Sequence, residues 1–163
     1  LDEDIVIRAC EPADDHFHAR YDVKTKTYRY QILNRPLPQA IGRLYAWHIR
    51  KPLDLDAMRQ AGARIMGSHD FKAFEGTGSP RSHTTRNVMR VEWLRKEPDC
   101  LCFEIEADGF LRYMVRNLVG TLVDVGLGKK SVDDFIAILQ SRDRSRASAT
   151  APPQGLCLLS VTY

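Results

Sequence analysis

The stretch DGFLRYMVRNLVGTLVDVG, residues 108–126, carries the strongest structural signal in the chain. Its apolar residues Phe110, Leu111, Met114, Val115, Leu118, Val119, Leu122 and Val123 recur every three or four positions, which predicts a helix burying one broad face. Arg112 and Arg116 stand at the shoulders of that face, one turn apart and on one row with Gly120. No Asp or Glu lies three or four positions from Arg116 on either side, so the helix does not itself supply the carboxylate that a half-buried guanidinium needs. What Arg116 faces is the question this segment poses.

Outward from the helix, the pattern alternates between strands and helices without a regular βαβ rhythm. Upstream, RNVMRVEWLRK and CLCFEIEA flank the turn EPD and predict an antiparallel hairpin, with Met89, Val91 and Trp93 on one face of the first strand. One face of that hairpin is expected to be wet or ligand-facing. Farther upstream, VKTKTYRYQIL predicts a long strand with Tyr28, Tyr30 and Ile32 on one side, and DIVIRACEPA predicts a first strand with Ile5 and Ile7 on one side. NRPLPQAIGRLYAWHIRKP, with its three prolines, predicts a loop. Asp54 predicts the N-cap of a helix through Leu55, Met58, Ala61, Ile65 and Met66 that Gly67 closes, and SHDFKAFEGTGSP predicts a loop. Downstream, Gly126 and Gly128 close the arginine helix, Ser131 and Asp134 form an acidic capping box for VDDFIAILQSRD, and LCLLSVTY predicts a final strand. The whole predicts one α+β domain, an antiparallel or mixed sheet flanked by helices.

At 163 residues with 44% hydrophobic composition, the chain suffices for one domain with a real core. The net charge of +3 decides little, but its distribution says more. TGSPRSHTTRNVMRV, residues 77–91, holds Arg81, Arg86 and Arg90 and no acid, a pattern suited to contacting phosphates and equally to a solvated loop. Cys10, Cys100, Cys102 and Cys157 lack metal-ligand spacing and are expected to be reduced thiols. No signal peptide and no run of about 18 apolar residues is present, so the expected location is the cytoplasm, away from membranes. Leu1 rather than Met opens the chain just ahead of the first predicted strand, so a chain cut from something longer is expected.

Motifs for hydrolytic or nucleotide chemistry are missing: no Gly-x-Ser-x-Gly, no phosphate loop, no histidine pair at helical ligand spacing. What remains is a set, each member with an ordinary structural explanation: Arg20 in FHARY, Tyr28 and Tyr30 in KTYRYQI, Asp70 in GSHDF, Arg86 in TTRNV, and Arg112 and Arg116 in GFLRYMVRN.

In this order and spacing the set resembles the tRNA pseudouridine synthase A (TruA) family. The likeness runs from about Asp4 to Tyr163 through DDHFHARYDVKTKTYRYQILN, PLDLDAMRQAGARIMGSHDFKAFEG, TTRNVMRVEW, DGFLRYMVRNLVGTLVDVG and PPQGLCLLSVTY. It implies a pseudouridine-synthase-like fold, a homodimer, no metal or cofactor, and isomerisation of uridine to pseudouridine in the anticodon stem-loop of tRNA, at positions 38 to 40. It also implies that Tyr28 lies against the target base and that Arg116 pairs with the catalytic aspartate. Arg20, Arg81, Arg86 and Arg112 are then candidates for contact with the tRNA backbone.

The family's aspartate lies in an upstream Gly-Arg-Thr-Asp segment, and that tetrapeptide does not occur in these 163 residues. The expectation is therefore a C-terminal, substrate-side portion that is inactive alone, whose partner is the N-terminal part of the same protein. The other reading kept open is a stand-alone tRNA- or RNA-binding module without catalysis.

Overall fold

The computed structural model describes residues 1–78 and 83–163. Among the described residues six strands form one mixed sheet: β1 (Thr25–Asn34), β2 (Trp47–Ile49), β3 (Gly67–Asp70), β4 (Thr85–Glu97), β5 (Cys100–Ala107) and β6 (Leu156–Thr162). Three α-helices, α1 (Leu55–Ala63), α2 (Met114–Gly126) and α3 (Val132–Ser141), supply the second layer. The sheet order is β2-β1-β5-β4-β3, with β6 also on β1. Strand β1 is long enough to serve two neighbours on its outer side: β6 pairs antiparallel with Thr25–Tyr30, and β2 pairs parallel with Ile32–Asn34. This is the α+β architecture the sequence predicts.

Alternation decides which face receives the helices. Tyr28 stands opposite Ile105, Tyr30 opposite Phe103 and Ile32 opposite Leu101, while Val91 and Trp93 continue the row across β4. This apolar face packs on Met58 and Ala61 of α1, Leu118 and Leu122 of α2, and Phe135 and Ile138 of α3 in one core. The other face is a lattice of charges. Glu104 is only 5% exposed, receives Arg29 Nη2 at 2.6 Å and lies 3.6 Å from Arg90 Nη1, which itself reaches Glu92 at 3.0 Å. A carboxylate so covered is tolerable because it is paired and hydrogen-bonded.

Helix α2 runs through the centre of the helical layer. Only Arg116 and Asp124 of its residues are not fully buried, and Asp124 pairs with Lys129 at 2.8 Å. The N-caps of the other helices follow the sequence, although α1 ends at Ala63 with Arg64 as its C-cap, short of Gly67. Asp54 accepts from Ala57 N at 2.9 Å, and Ser131 and Asp134 form the reciprocal box, with Ser131 Oγ accepting from Asp134 N at 3.0 Å.

Five sequence expectations are corrected. Residues 5–7 form no strand: Ile5, Val6 and Ile7 are exposed and pair with no strand among the described residues, and β-propensity alone does not satisfy backbone groups. The proline-rich excursion ends in a strand, β2, because Asn34 Nδ2 binds the carbonyls of Ile49 and Lys51 at 3.0 and 2.7 Å and draws the chain alongside β1. GSHD, expected as loop, is β3, paired with β4 from Gly67↔Val88 to Asp70↔Thr85. A bulge between Val88 and Arg90 turns Met89 to solvent and out of the row of Val91 and Trp93. Finally, α2 begins at Met114, so Arg112 lies outside the helix and shares no row with Arg116.

Candidate functional site

After β5 the chain crosses over the sheet edge. Asp108 fixes the crossing, its N donating to Asn87 O at 3.1 Å and its Oδ1 accepting from Asn87 N at 3.0 Å. Leu111 then enters the core, Tyr113 takes up left-handed backbone angles (φ 60°, ψ 4°), and α2 starts. Among the described residues the N-cap Tyr113 makes no side-chain capping bond, and the first turn contains no acid. Instead it carries Arg116. The unpaired N–H groups of a helix N-terminus act as a partial positive charge, so a guanidinium there adds to a field that already favours an anion.

Arg116 is held by a strap that follows a short turn, Arg144–Arg146. Its Nε donates to Ala151 O at 2.7 Å, and Ala151 N donates to Arg116 O at 3.1 Å. Close approach is possible because residue 120 is glycine: a Cβ there would lie 2.0 Å from Ala149 O. The buried Asn117 ties the strap down, its Oδ1 accepting from Thr150 Oγ1 at 2.6 Å and Arg144 Nη2 at 3.0 Å while its Nδ2 donates to Phe74 O at 2.7 Å. Among the described residues no carboxylate lies within ion-pair distance of Arg116; its guanidinium carbon sits 5.0 Å from the centre of the Tyr113 ring.

Arg116 and Tyr28, far apart in sequence, line one cleft of about 250 Å³ with Phe110, Tyr113, Met114 and Leu156. Tyr28 is half-buried, and its ring meets Phe110 edge-on, centroids 5.1 Å apart at 87°. Burial raises the Tyr28 phenol above its ordinary value. The fully buried Tyr30 is raised further by burial, against a small opposing pull from Arg116, and its hydroxyl donates to Pro152 O at 2.6 Å. Tyr30 is thus core, and Tyr28 is the tyrosine that meets the cleft.

A second cavity of about 440 Å³ adjoins the first, with Phe110 lining both. Arg20, Lys26, His83 and Arg86 line it, with Asp108 the acid among them. Arg20 lies over the Tyr21 ring at 5.7 Å, and Arg86 reaches Thr85 O at 2.5 Å and His83 Nδ1 at 3.3 Å. The structure therefore brings Tyr28 with Arg116, and Arg20 with Arg86, into two adjoining hollows. Arg112 stands apart, with Nη1 donating to the carbonyls of Thr77 and Gly78 at 2.8 and 3.2 Å. Arg81 lies outside the described residues. Asp70 serves the fold: burial raises its carboxyl, but bonds from Thr84 Oγ1 at 2.5 Å and Lys72 N at 3.0 Å, with Arg142 Nε at 2.9 Å, hold it below its ordinary value.

Sequence reasoning missed Tyr113 and Phe110 as cleft residues and Lys26 as part of the second cavity. Lys26 was available to strand alternation, being on the same side of β1 as Tyr28. Tyr113 was not, because nothing in its neighbours forecasts a left-handed tyrosine.

Comparison with known proteins gives this geometry a family. Residues 61–163 match the family model described as tRNA pseudouridine synthase. The chain is 46% identical over its full length to tRNA pseudouridine synthase A of Thermoanaerobacter sp. (strain X514), covering 66% of that protein. It is 44% identical over its full length to tRNA pseudouridine synthase A of Acetivibrio thermocellus, again covering 66% of that protein. Against the protein of the same name from Moorella thermoacetica it is 45% identical over 157 residues, 96% of this chain and 63% of that protein. The chain belongs to the tRNA pseudouridine synthase family, and it spans about 66% of the length of the first two of these relatives.

Proposed function

We propose that this chain is the C-terminal, substrate-side portion of a cytoplasmic, homodimeric tRNA pseudouridine synthase acting on uridine in the anticodon stem-loop. The nucleophilic aspartate is carried by a segment outside these 163 residues, and the reaction needs no cofactor. The observation that carries the reading is the meeting of Tyr28 and Arg116 in one cleft at the uncapped start of α2.

The chemistry matches those parts. In the isomerisation the C1′–N1 bond breaks, a C1′–C5 bond forms, the C5 proton leaves and N1 gains one, so atoms balance without oxidant or reductant. The base must be out of the stack and retained while detached, which a half-buried aromatic wall serves. A carboxylate acting beside polyanionic RNA must stay ionised, and the Arg116 guanidinium, reinforced by the helix N-terminus, is a fixed counter-charge for it. The neighbouring hollow with Arg20, Lys26 and Arg86 suits the phosphates flanking the extruded nucleotide, contacts that position rather than specify.

Replacing Arg116 in the full-length protein tests this. Arg116→Met is expected to abolish turnover while leaving melting temperature and tRNA affinity near wild type, and Arg116→Lys to restore little, because an ammonium lacks the two-pronged geometry. Near-normal turnover by Arg116→Met would refute the assignment. Normal tRNA binding with no turnover even in the unaltered full-length protein would favour a binding module instead.

A further inference from the structure

Tyr113 is the anomaly at the cleft mouth. A bulky aromatic residue in the left-handed region is a genuine outlier, and of the described non-glycine residues only Arg142 shares it. The surroundings enforce the conformation. Gly76 N donates to Arg112 O at 2.8 Å, and Gly76 lies so close beneath the ring that a Cβ there would stand 2.3 Å from Tyr113 Cδ2. A residue of ordinary backbone conformation at 113 would send its side chain elsewhere.

The consequence is a ring laid beside two guanidinium groups. Arg112 and Arg116 each have their central carbon 5.0 Å from its centroid, while Tyr113, 44% exposed, also lines the cleft. Arg112 is already committed to the Thr77 and Gly78 carbonyls. Arg116 is different: among the described residues, Nε is its one guanidinium nitrogen with a protein acceptor, Ala151 O. A single hydrogen bond leaves a guanidinium able to swing about it. The negative face of an aromatic ring supplies a second restraint.

We propose that Tyr113 is a positioning residue for Arg116: its ring face and the Ala151 carbonyl together hold the guanidinium so that its Nη fork is presented to the Tyr28 cleft. The left-handed turn is the device that brings the ring there. The hydroxyl is not part of the proposal: among the described residues its one hydrogen bond, from Arg112 Nη2, is long at 3.5 Å. The proposal rests on the reading of Arg116 as counter-charge to a catalytic carboxylate.

The test uses the full-length protein with Tyr113→Phe, Tyr113→Leu and Tyr113→Asn beside Arg116→Met. Phe and Leu both keep a side chain on the left-handed backbone, and only Phe keeps a π face. Phe is expected to turn over within about twofold of wild type, and Leu about tenfold more slowly at saturating tRNA with KM unchanged, the size expected for a partly desolvated cation–π contact. Asn accepts left-handed angles and lacks the ring, so it is expected to be as slow as Leu while melting no earlier than wild type. Wild-type turnover by Leu or Asn, or a Phe variant as slow as Leu, would overturn the proposal. If Arg116→Met is inactive and the ring-less variants are not, the Tyr113 assignment alone fails; if Arg116→Met is active, the reading beneath it fails.

Discussion

Arg116 and Ala151 are joined twice, through the Arg116 side chain at 2.7 Å and through the Arg116 carbonyl at 3.1 Å. One residue of the strap thus grips both the helix backbone and the guanidinium that helix carries. The grip requires Gly120, over which Ala149 passes. Gly120→Ala would place a methyl 2.0 Å from a backbone oxygen, and the strap must lift. The expected result is a loss of about 1–3 kcal/mol in stability, as for overpacking elsewhere, with a disproportionate fall in turnover, measured by denaturation and tRNA assay on one preparation. Unchanged turnover would show that the strap does not aim Arg116.

Tyr28 separates stacking from hydroxyl chemistry. In the full-length protein Tyr28→Phe keeps the ring and is expected to retain tRNA affinity, whereas Tyr28→Ala is expected to lose about 1–3 kcal/mol of it. Equal affinity for wild type and the Ala variant, measured by titration with unmodified tRNA, would assign Tyr28 to packing against Phe110 alone.

Binding of tRNA is expected to weaken as salt rises, through release of counterions from the phosphates. Arg20→Ala and Arg86→Ala should each flatten the logarithmic salt dependence by about one unit if each neutralises one phosphate. An unchanged slope in both variants would remove the second hollow from the RNA path.

Asp70 predicts a pH effect on stability rather than on chemistry. Its folded pKa lies below the ordinary value despite the opposing effect of burial, because Thr84, Lys72 and Arg142 favour the charged form. A depressed pKa means stability that is present above the unfolded value near pH 4 and lost as pH falls through the folded one. Asp70→Asn should therefore destabilise the protein at pH 7 by about 1–2 kcal/mol and by much less near pH 3, as read from urea midpoints. An equal deficit at both pH values would show that geometry, not charge, is what Asp70 supplies.

How much of this was legible beforehand depends on where each residue's environment is written. Arg116 could be singled out because helical periodicity and the lack of an acid near it are local facts; the segment from Met114 is a helix as expected, but one buried on nearly every side rather than on one face. Strand alternation places Tyr28 and Tyr30 on one face without telling them apart, and only the family resemblance singles out Tyr28, because which of them reaches the cleft depends on Phe110 and Pro152 arriving from elsewhere. Strands β2 and β3 were hidden for a similar reason: each is defined by the strand it lies against, and propensity says little about segments of three or four residues. The same physics misled in the other direction at Ile5–Ile7, where strand-like composition finds no strand to pair with among the described residues. The left-handed turn at Tyr113 contradicts its own residue preference and moved Arg112 off the helix.

The charge lattice on the far side of the sheet has a meaning for the cleft it never touches. Arg29 is the residue after Tyr28, so one strand carries the aromatic wall of the cleft on one side and the partner of the covered Glu104 on the other. A slip of β1 by a single residue would turn the guanidinium toward the apolar helices and leave Glu104 without its closest cation, an arrangement that costs about 3–5 kcal/mol for a covered charge. The ion pair thereby favours the one register of β1 that keeps Tyr28 facing the cleft.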